Sequence, residues 1–375
     1  MSVKKFNNRR DLPIVIGLVV ISVFVLAFCL VNYTNLFSTS FNLLTSDIKI
    51  AVTTPKTETL DFADYDRRMF VLATASSTIS FAVPMNITAS STGTSTIILS
   101  ASSTISKKTI YPNVGAILPF KRVVAYYGNF LSTGMGVLGQ YPAPEMLEKL
   151  RAEVAKWEAA DPTTPVMPAI DYIAVTAQGS AGASGKDRAQ MPDKEIDHAL
   201  DLAAQVNGIV ILEIQAGLST VQSEIPLLEK YLKMPQVHLA LDPEFYMKTG
   251  APPGTVVGTM DAKEINYAAN YLADLVRANN LPPKVLIVHR YTYNMVTNYK
   301  NITPLPEVQI VMDMDGWGSP ARKNTTYSKI LAVEPVQFTG FKLFYKNDIL
   351  APSPRMMTPE EVLNLKPRPS FIQYQ

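Results

Sequence analysis

The chain predicts a (β/α)8 barrel of the TIM type, preceded by an N-terminal transmembrane helix and a Ser/Thr-rich stalk. Three features predict it. An uncharged run extends from Leu12 to Tyr33, and a Ser/Thr-rich stretch with few charges covers 34–110. From Arg122 onward, eight β-rich runs are separated by helix-sized connections, on a domain of the roughly 250 residues such barrels use. The expected organisation is a cytoplasmic tail over 1–11, an anchor over 12–33, a stalk or small β segment over 34–110, and the barrel over 111–375.

At the N-terminus, Lys4, Lys5, Arg9 and Arg10 precede the apolar run, and no basic residue follows it immediately. The run is about long enough to cross the hydrocarbon core as a helix. The charge bias places the tail in the cytoplasm and the rest outside, as a single-pass protein of the cell membrane. A cleaved signal peptide is the rival reading, although no A-x-A-like site follows. Cys29, in "LAFC", has the place of a lipoprotein cysteine, but the bulky Phe28 departs from the small residue expected before it. In the stalk, "ASST" recurs at Ala75, Ala89 and Ala101 and carries no obvious chemistry.

Composition narrows the function classes. Apolar residues make up 47% and charged residues 18%, enough for a large core. A net charge of +2 without a Lys/Arg stripe gives no reason to invoke nucleic acid. A single cysteine excludes disulfides, Cys-rich zinc sites and iron–sulfur clusters within one chain.

The candidate strands are 122–128, 166–175, 208–217, 237–245, 284–292, 308–318, 336–345 and 370–375. Helix starts lie between them. Asp261 with Glu264 forms a capping-box pattern, and Thr358-Pro359-Glu360-Glu361 places proline at the first helical position. Segments 142–160 and 192–206 repeat apolar residues at helical spacing. A doubly wound open sheet is the alternative, but it usually has fewer strands and needs a topological switch point.

Barrel chemistry sits at the C-terminal strand ends, and strand parity decides which side chains point inward. On the fourth strand Ala240, Asp242 and Glu244 oppose Leu239 and Leu241; on the sixth, Val311, Asp313 and Asp315 oppose Ile310, Met312 and Met314. The third strand turns Glu213 and Gln215 inward, and the fifth His289 and Tyr291. The first gives Tyr127, the second Asp171 and the seventh Lys342, while the eighth offers Gln373 or Tyr374. Inward positions are thus apolar at the start of a strand and ionisable at its end. Any one of these acids alone reads equally well as a helix cap or an ion-pair partner. Lys342 equally reads as a neutralising charge, and His289 as a satisfied core histidine.

Together, clustered acids raise one another's pKa and yield both a proton donor and an ionised base near neutrality. Two carboxylates flanking a scissile bond are what glycoside hydrolysis requires. Glu244, farthest out on the fourth strand, is the candidate acid, with Asp242 and Asp315 competing for the partner role. Trp317, Tyr127, Tyr246 and Tyr291 offer stacking faces for sugar rings, or serve as packing residues.

Two resemblances enter on particular motifs. "AYYGNFLSTGMGVLGQYP", "LDPEF", "MDMDGWG" and "GFKLFY" together resemble a family of uncharacterised bacterial secreted or lipoprotein-type barrels, over roughly 120–375. That family brings no established activity. The D-x-E of Asp242 and Glu244 is similar to the muramidase-type lysozymes, which implies this pair as catalytic and peptidoglycan as substrate. The expectation is a membrane-anchored, extracytoplasmic glycosidase-like barrel acting on a cell-wall or surface polysaccharide without a cofactor. One alternative is a metal-dependent hydrolase using the same acids with His289. With three histidines, His198 on a helix and His238 near a strand start, a transition-metal site is thinly supplied. The other is a carbohydrate-binding surface protein without catalysis. "GSAGASGKD" (179–187) lacks phosphate-loop spacing and reads as a flexible loop after the second strand.

Overall fold

Eight parallel strands close on themselves in the computed structural model, which describes residues 59–74, 109–353 and 355–375. They are β1 (Arg122–Gly128), β2 (Val166–Ala177), β3 (Ile209–Ile214), β4 (Val237–Leu241), β5 (Lys284–Arg290), β6 (Val308–Met314), β7 (Phe338–Leu343) and β8 (Phe371–Tyr374). Each pairs with the next, and β1 pairs with both β2 and β8, which completes the ring. The expected anchor at 12–33 lies outside the described residues. No helix among the described residues is long and apolar enough to cross a membrane.

Alternation along the strands divides the core in two. Val123, Ala125, Ala169, Ile211, Ala240, Ile287, Val311 and Phe371 form one apolar cluster inside the barrel. Their neighbours Val124, Ile170, Leu212, Leu239, Leu241, Val288 and Ile310 join the larger cluster under the helices. Gln373 shares the inner parity of Phe371, and Tyr374 packs in the outer cluster, where its hydroxyl accepts from Trp157 Nε1 at 3.0 Å. Burying apolar side chains at about 25 cal/mol per Å² makes this two-layer segregation the main stabilising term.

The outer layer forms where the local signals place it. Helix α1 is Phe62–Thr74, α2 Ala143–Ala160, α3 Asp193–Ala204, α4 Ala262–Asn279, α5 Pro320–Thr326 and α6 Pro359–Leu363. Both capping boxes are present, at Asp261/Glu264 for α4 and Thr358/Glu361 for α6. The β5–β6 connection departs from the repeat. Two single-turn 3-10 segments, Tyr293–Met295 and Tyr299–Asn301, stand there in place of a helix. Asn298 at φ 57° and the nearby Pro304 and Pro306 interrupt helical continuation. The 179–187 stretch connects β2 to Arg188–Gln190, which folds back antiparallel on Val175–Ala177.

Residues 62–74 differ from the stalk expected over 34–110. They form α1, which closes the N-terminal end of the barrel: Met69 and Leu72 pack on the interior cluster, and Arg368 donates its amide to Leu72 O at 2.7 Å. Tyr65, Met69 and Leu72 recur at helical spacing amid charged residues, a pattern unlike the Ser/Thr repeats after it. Nearby, Gln309 Oε1 accepts from the amides of Ile117 and Leu118, both at 3.0 Å, and so fixes the plug beneath β6.

Tyr65 is buried between Tyr111 and Phe120. Tyr65→Ala is expected to lower unfolding free energy by about 3 kcal/mol, read from urea denaturation. An unchanged midpoint would show that α1 does not seal the barrel.

Candidate active site

At the C-terminal strand ends a cavity of about 590 Å³ opens. Tyr127, Gln215, Asp242, Glu244, Tyr291, Asp315, Trp317 and Lys342 line it, together with Met135, Phe245, Thr292 and Arg322. Beneath its floor lies a second tier, fully buried: Asp171, Glu213, His289, Asp313 and Gln373. The strand ends therefore converge as parity predicts, but at two depths. Asp171, Glu213, His289, Asp313 and Gln373 turn inward as the sequence predicts, but they are packed under the residues that line the cavity.

The two tiers are tied by short polar contacts. Tyr127 donates its hydroxyl to Glu213 Oε1 at 2.8 Å, and Gln215 Nε2 reaches the same oxygen at 3.0 Å. His289 Nε2 lies 3.0 Å from Glu213 Oε2, while its Nδ1 lies 3.3 Å from both Asp313 Oδ2 and Asp315 Oδ2. Lys342 Nζ is 3.1 Å from Asp315 Oδ1 and sits 3.8 Å from the centre of the Tyr127 ring. Gln373 Nε2 donates to Asp171 Oδ2 at 2.6 Å. Gly340 on β7 makes room for this tier, since a Cβ there would stand 2.4 Å from Asp313 Oδ1.

Burial opposes the charge on His289, but Glu213, Asp313 and Asp315 outweigh it and hold the imidazole protonated, well above its ordinary value. Its Nε2 then donates to Glu213, and its Nδ1 faces the carboxylates of Asp313 and Asp315 at 3.3 Å, so neither nitrogen presents a lone pair to a metal. Among the described residues, no group of three or more His, Cys, Asp or Glu side chains is arranged to hold an ion. His238, at the opposite end of β4, accepts the Val285 amide on Nδ1 at 2.9 Å, and burial lowers its pKa to about 3. His198 is exposed on α3 against Phe130.

The acids divide by environment. Burial pushes Asp315 up, yet Lys342 and His289 more than offset it and hold this carboxyl below its usual range. Burial, then the charge of Asp315, raises Glu244, whose carboxyl lies beside the Tyr291 hydroxyl. Asp242 is raised well above its ordinary value by burial and then by Glu213. Asp171 is raised by burial and Glu213, and Asp313 by burial.

Asp242 and Glu244 do not lie along a strand as expected. β4 ends at Leu241, and Pro243–Phe245 makes a 3-10 turn capped by Asp242, whose Oδ1 accepts the Glu244 amide at 2.9 Å. Proline forces the chain out of the ladder here, and the turn carries Glu244 to the cavity wall. Asp242 is thus a cap as well as a lining residue. Tyr246 is buried in the outer cluster, turned away from the cavity. Trp317 stands at the rim, 46% exposed, with the Arg322 guanidinium 5.2 Å from its ring centre. Arg322 escaped the sequence reading because it lies on α5, where strand parity gives no signal.

No family model and no curated protein matches the chain. Among solved structures, one similar fold is a hyperthermophilic endo-beta-1,4-glucanase in complex with substrate. It shares 8% identity over 68% of this chain and 89% of that chain, with a TM-score of 0.36. The cellulose synthase subunit Z of Clostridioides difficile shares 10% over 68% and 91%, TM-score 0.31. A ruminal endo-beta-1,4-mannanase shares 10% over 68% and 59%, TM-score 0.31.

Removing the Lys342 charge takes away the main pull on Asp315. Lys342→Met is expected to move the Asp315 titration upward, followed by carbon NMR of labelled aspartate. An unmoved titration would assign the ionised state of Asp315 to another cause.

Proposed function

We propose that this barrel is a glycoside hydrolase in which Glu244 donates the proton and Asp315 is the ionised partner. The supporting observation is the opposite displacement of two carboxyl groups lining one cavity, Glu244 raised and Asp315 lowered. Pairs of titratable groups pushed apart by their surroundings mark acid and base assignments. Glu244 gives its proton to the glycosidic oxygen as the bond to the anomeric carbon breaks. Asp315 attacks that carbon or takes a proton from the incoming water. Lys342 and His289 keep Asp315 ionised, and Asp242 fixes the backbone that carries Glu244.

On the topology read from the sequence, residues 12–33 hold the barrel at the outer face of the cell membrane. A cell-wall or surface polysaccharide, peptidoglycan included, is then the reachable substrate.

The full-length protein in detergent is to be incubated with a polysaccharide panel while new reducing ends are counted. Glu244→Gln is expected to reduce turnover by at least about 100-fold with circular dichroism unchanged, and chelator to have no effect. Full activity in that variant would retire the assignment.

Protonation fixes the pH profile. Turnover needs Glu244 protonated, so it falls as pH rises through the elevated Glu244 value. It also needs Asp315 ionised, so the acid limb falls only below the ordinary carboxylate range. A profile with its acid limb above that range would contradict these roles.

A further inference from the structure

Two cations line the cavity, and their situations differ. Lys342 is committed to Asp315 at 3.1 Å. Arg322 makes no ion pair with any carboxylate among the described residues, and its side chain is exposed at the rim beside Trp317. The acids sharing the cavity are already accounted for: Asp315 by Lys342 and His289, and Glu244 and Asp242 by displacement toward their neutral forms.

The arm that presents Arg322 is anchored. Lys323, the next residue, is buried with its ammonium 2.6 Å from Asp348 Oδ2 and 2.6 Å from Lys342 O. Asp348 Oδ1 accepts the Gly318 amide at 2.9 Å, which ties down the loop carrying Trp317. Gly318 holds φ 137°, and a Cβ there would stand 2.8 Å from Arg322 Cδ, so the arm runs directly against a residue without a side chain. Ser319 accepts the Arg322 amide as the cap of α5. The stretch from Trp317 to Arg322 is therefore fixed at both ends, with the indole beside the guanidinium at 5.2 Å.

We propose that Trp317 and Arg322 form a subsite for an anionic sugar, so that the substrate is a glycan carrying a carboxylate or similar oxyanion near the scissile bond. The inference rests on the glycosidase reading for the bond and adds the substrate's charge. A planar guanidinium offers paired N–H donors that match a carboxylate bidentately, and lying beside an aromatic face reduces the freedom lost on binding. A sugar ring placed against Trp317 puts its substituents within the reach of Arg322. Neutral glycans leave that guanidinium without a partner.

Binding is to be measured calorimetrically on the full-length protein carrying Glu244→Gln, so that turnover does not enter. The probes are oligogalacturonate, soluble peptidoglycan fragments and sulfated carrageenan oligosaccharides, against cello-oligosaccharides and carboxyl-reduced oligogalacturonate. At least one anionic class is expected to bind about tenfold or more tighter than the neutral probes, with the preference lost in Arg322→Gln and partly kept in Arg322→Lys. Which anionic class binds best distinguishes a carboxylate from a sulfate ester. Equal binding of neutral probes, a preference that survives Arg322→Gln, or binding of no probe would overturn the subsite. Anion-selective binding in a wild type that cleaves nothing would instead retain the subsite and remove the hydrolase.

Discussion

The contact on which the site depends is the buried charge cluster of Lys342, Asp315 and His289. An ionised carboxylate withdrawn from water costs several kcal/mol unless charge and hydrogen bonds compensate it. Here two cations from two different strands meet one acid just past the end of a third, with Glu213 closing the far side of the imidazole. Neutralising any member changes the charge balance felt by the others. The same cluster separates the acids into one held below the ordinary carboxyl range and others that burial raises above it.

This cluster also explains why the barrel has two polar tiers where a purely structural barrel needs none. The lower tier never meets the cavity, yet it sets the electrostatics above it. Glu213 and Asp313 raise the pKa of His289, and the positive imidazolium in turn lowers that of Asp315. Gly340 is required because a side chain on β7 would occupy the space of Asp313. A fold built from repeated apolar strands thereby carries a concentrated field at one end, where preorganised charge does most for a reaction.

Much of this was legible in the sequence. Eight β-rich runs specified the ring, and parity placed Tyr127, Asp171, Glu213, His289, Asp313, Lys342 and their neighbours on the inner face, because a two-residue period leaves no other side. Depth was not legible. Parity says that Asp313 and Asp315 point the same way, not that one lies beneath the floor and the other on it, since that follows from stagger between strands. Pro243 signalled that β4 stops at Leu241, and giving it more weight identifies Asp242 as a cap. Tyr246 takes the packing role of the two its sequence position left open. Arg322 lies on a helix, where strand parity carries no signal, and α1 lies within the 34–110 stretch whose Ser/Thr-rich composition masked its helical period.

The central claim is a division of protons: Glu244 keeps its proton at a pH where Asp315 has lost its own, with His289 doubly protonated beside them. Neutron diffraction from a deuterated crystal grown at the pH of maximal turnover locates those protons directly. The account predicts density for deuterium on a Glu244 oxygen, none on Asp315, and one on each nitrogen of His289. Deuterium on Asp315, or a bare Glu244 carboxylate, would contradict it.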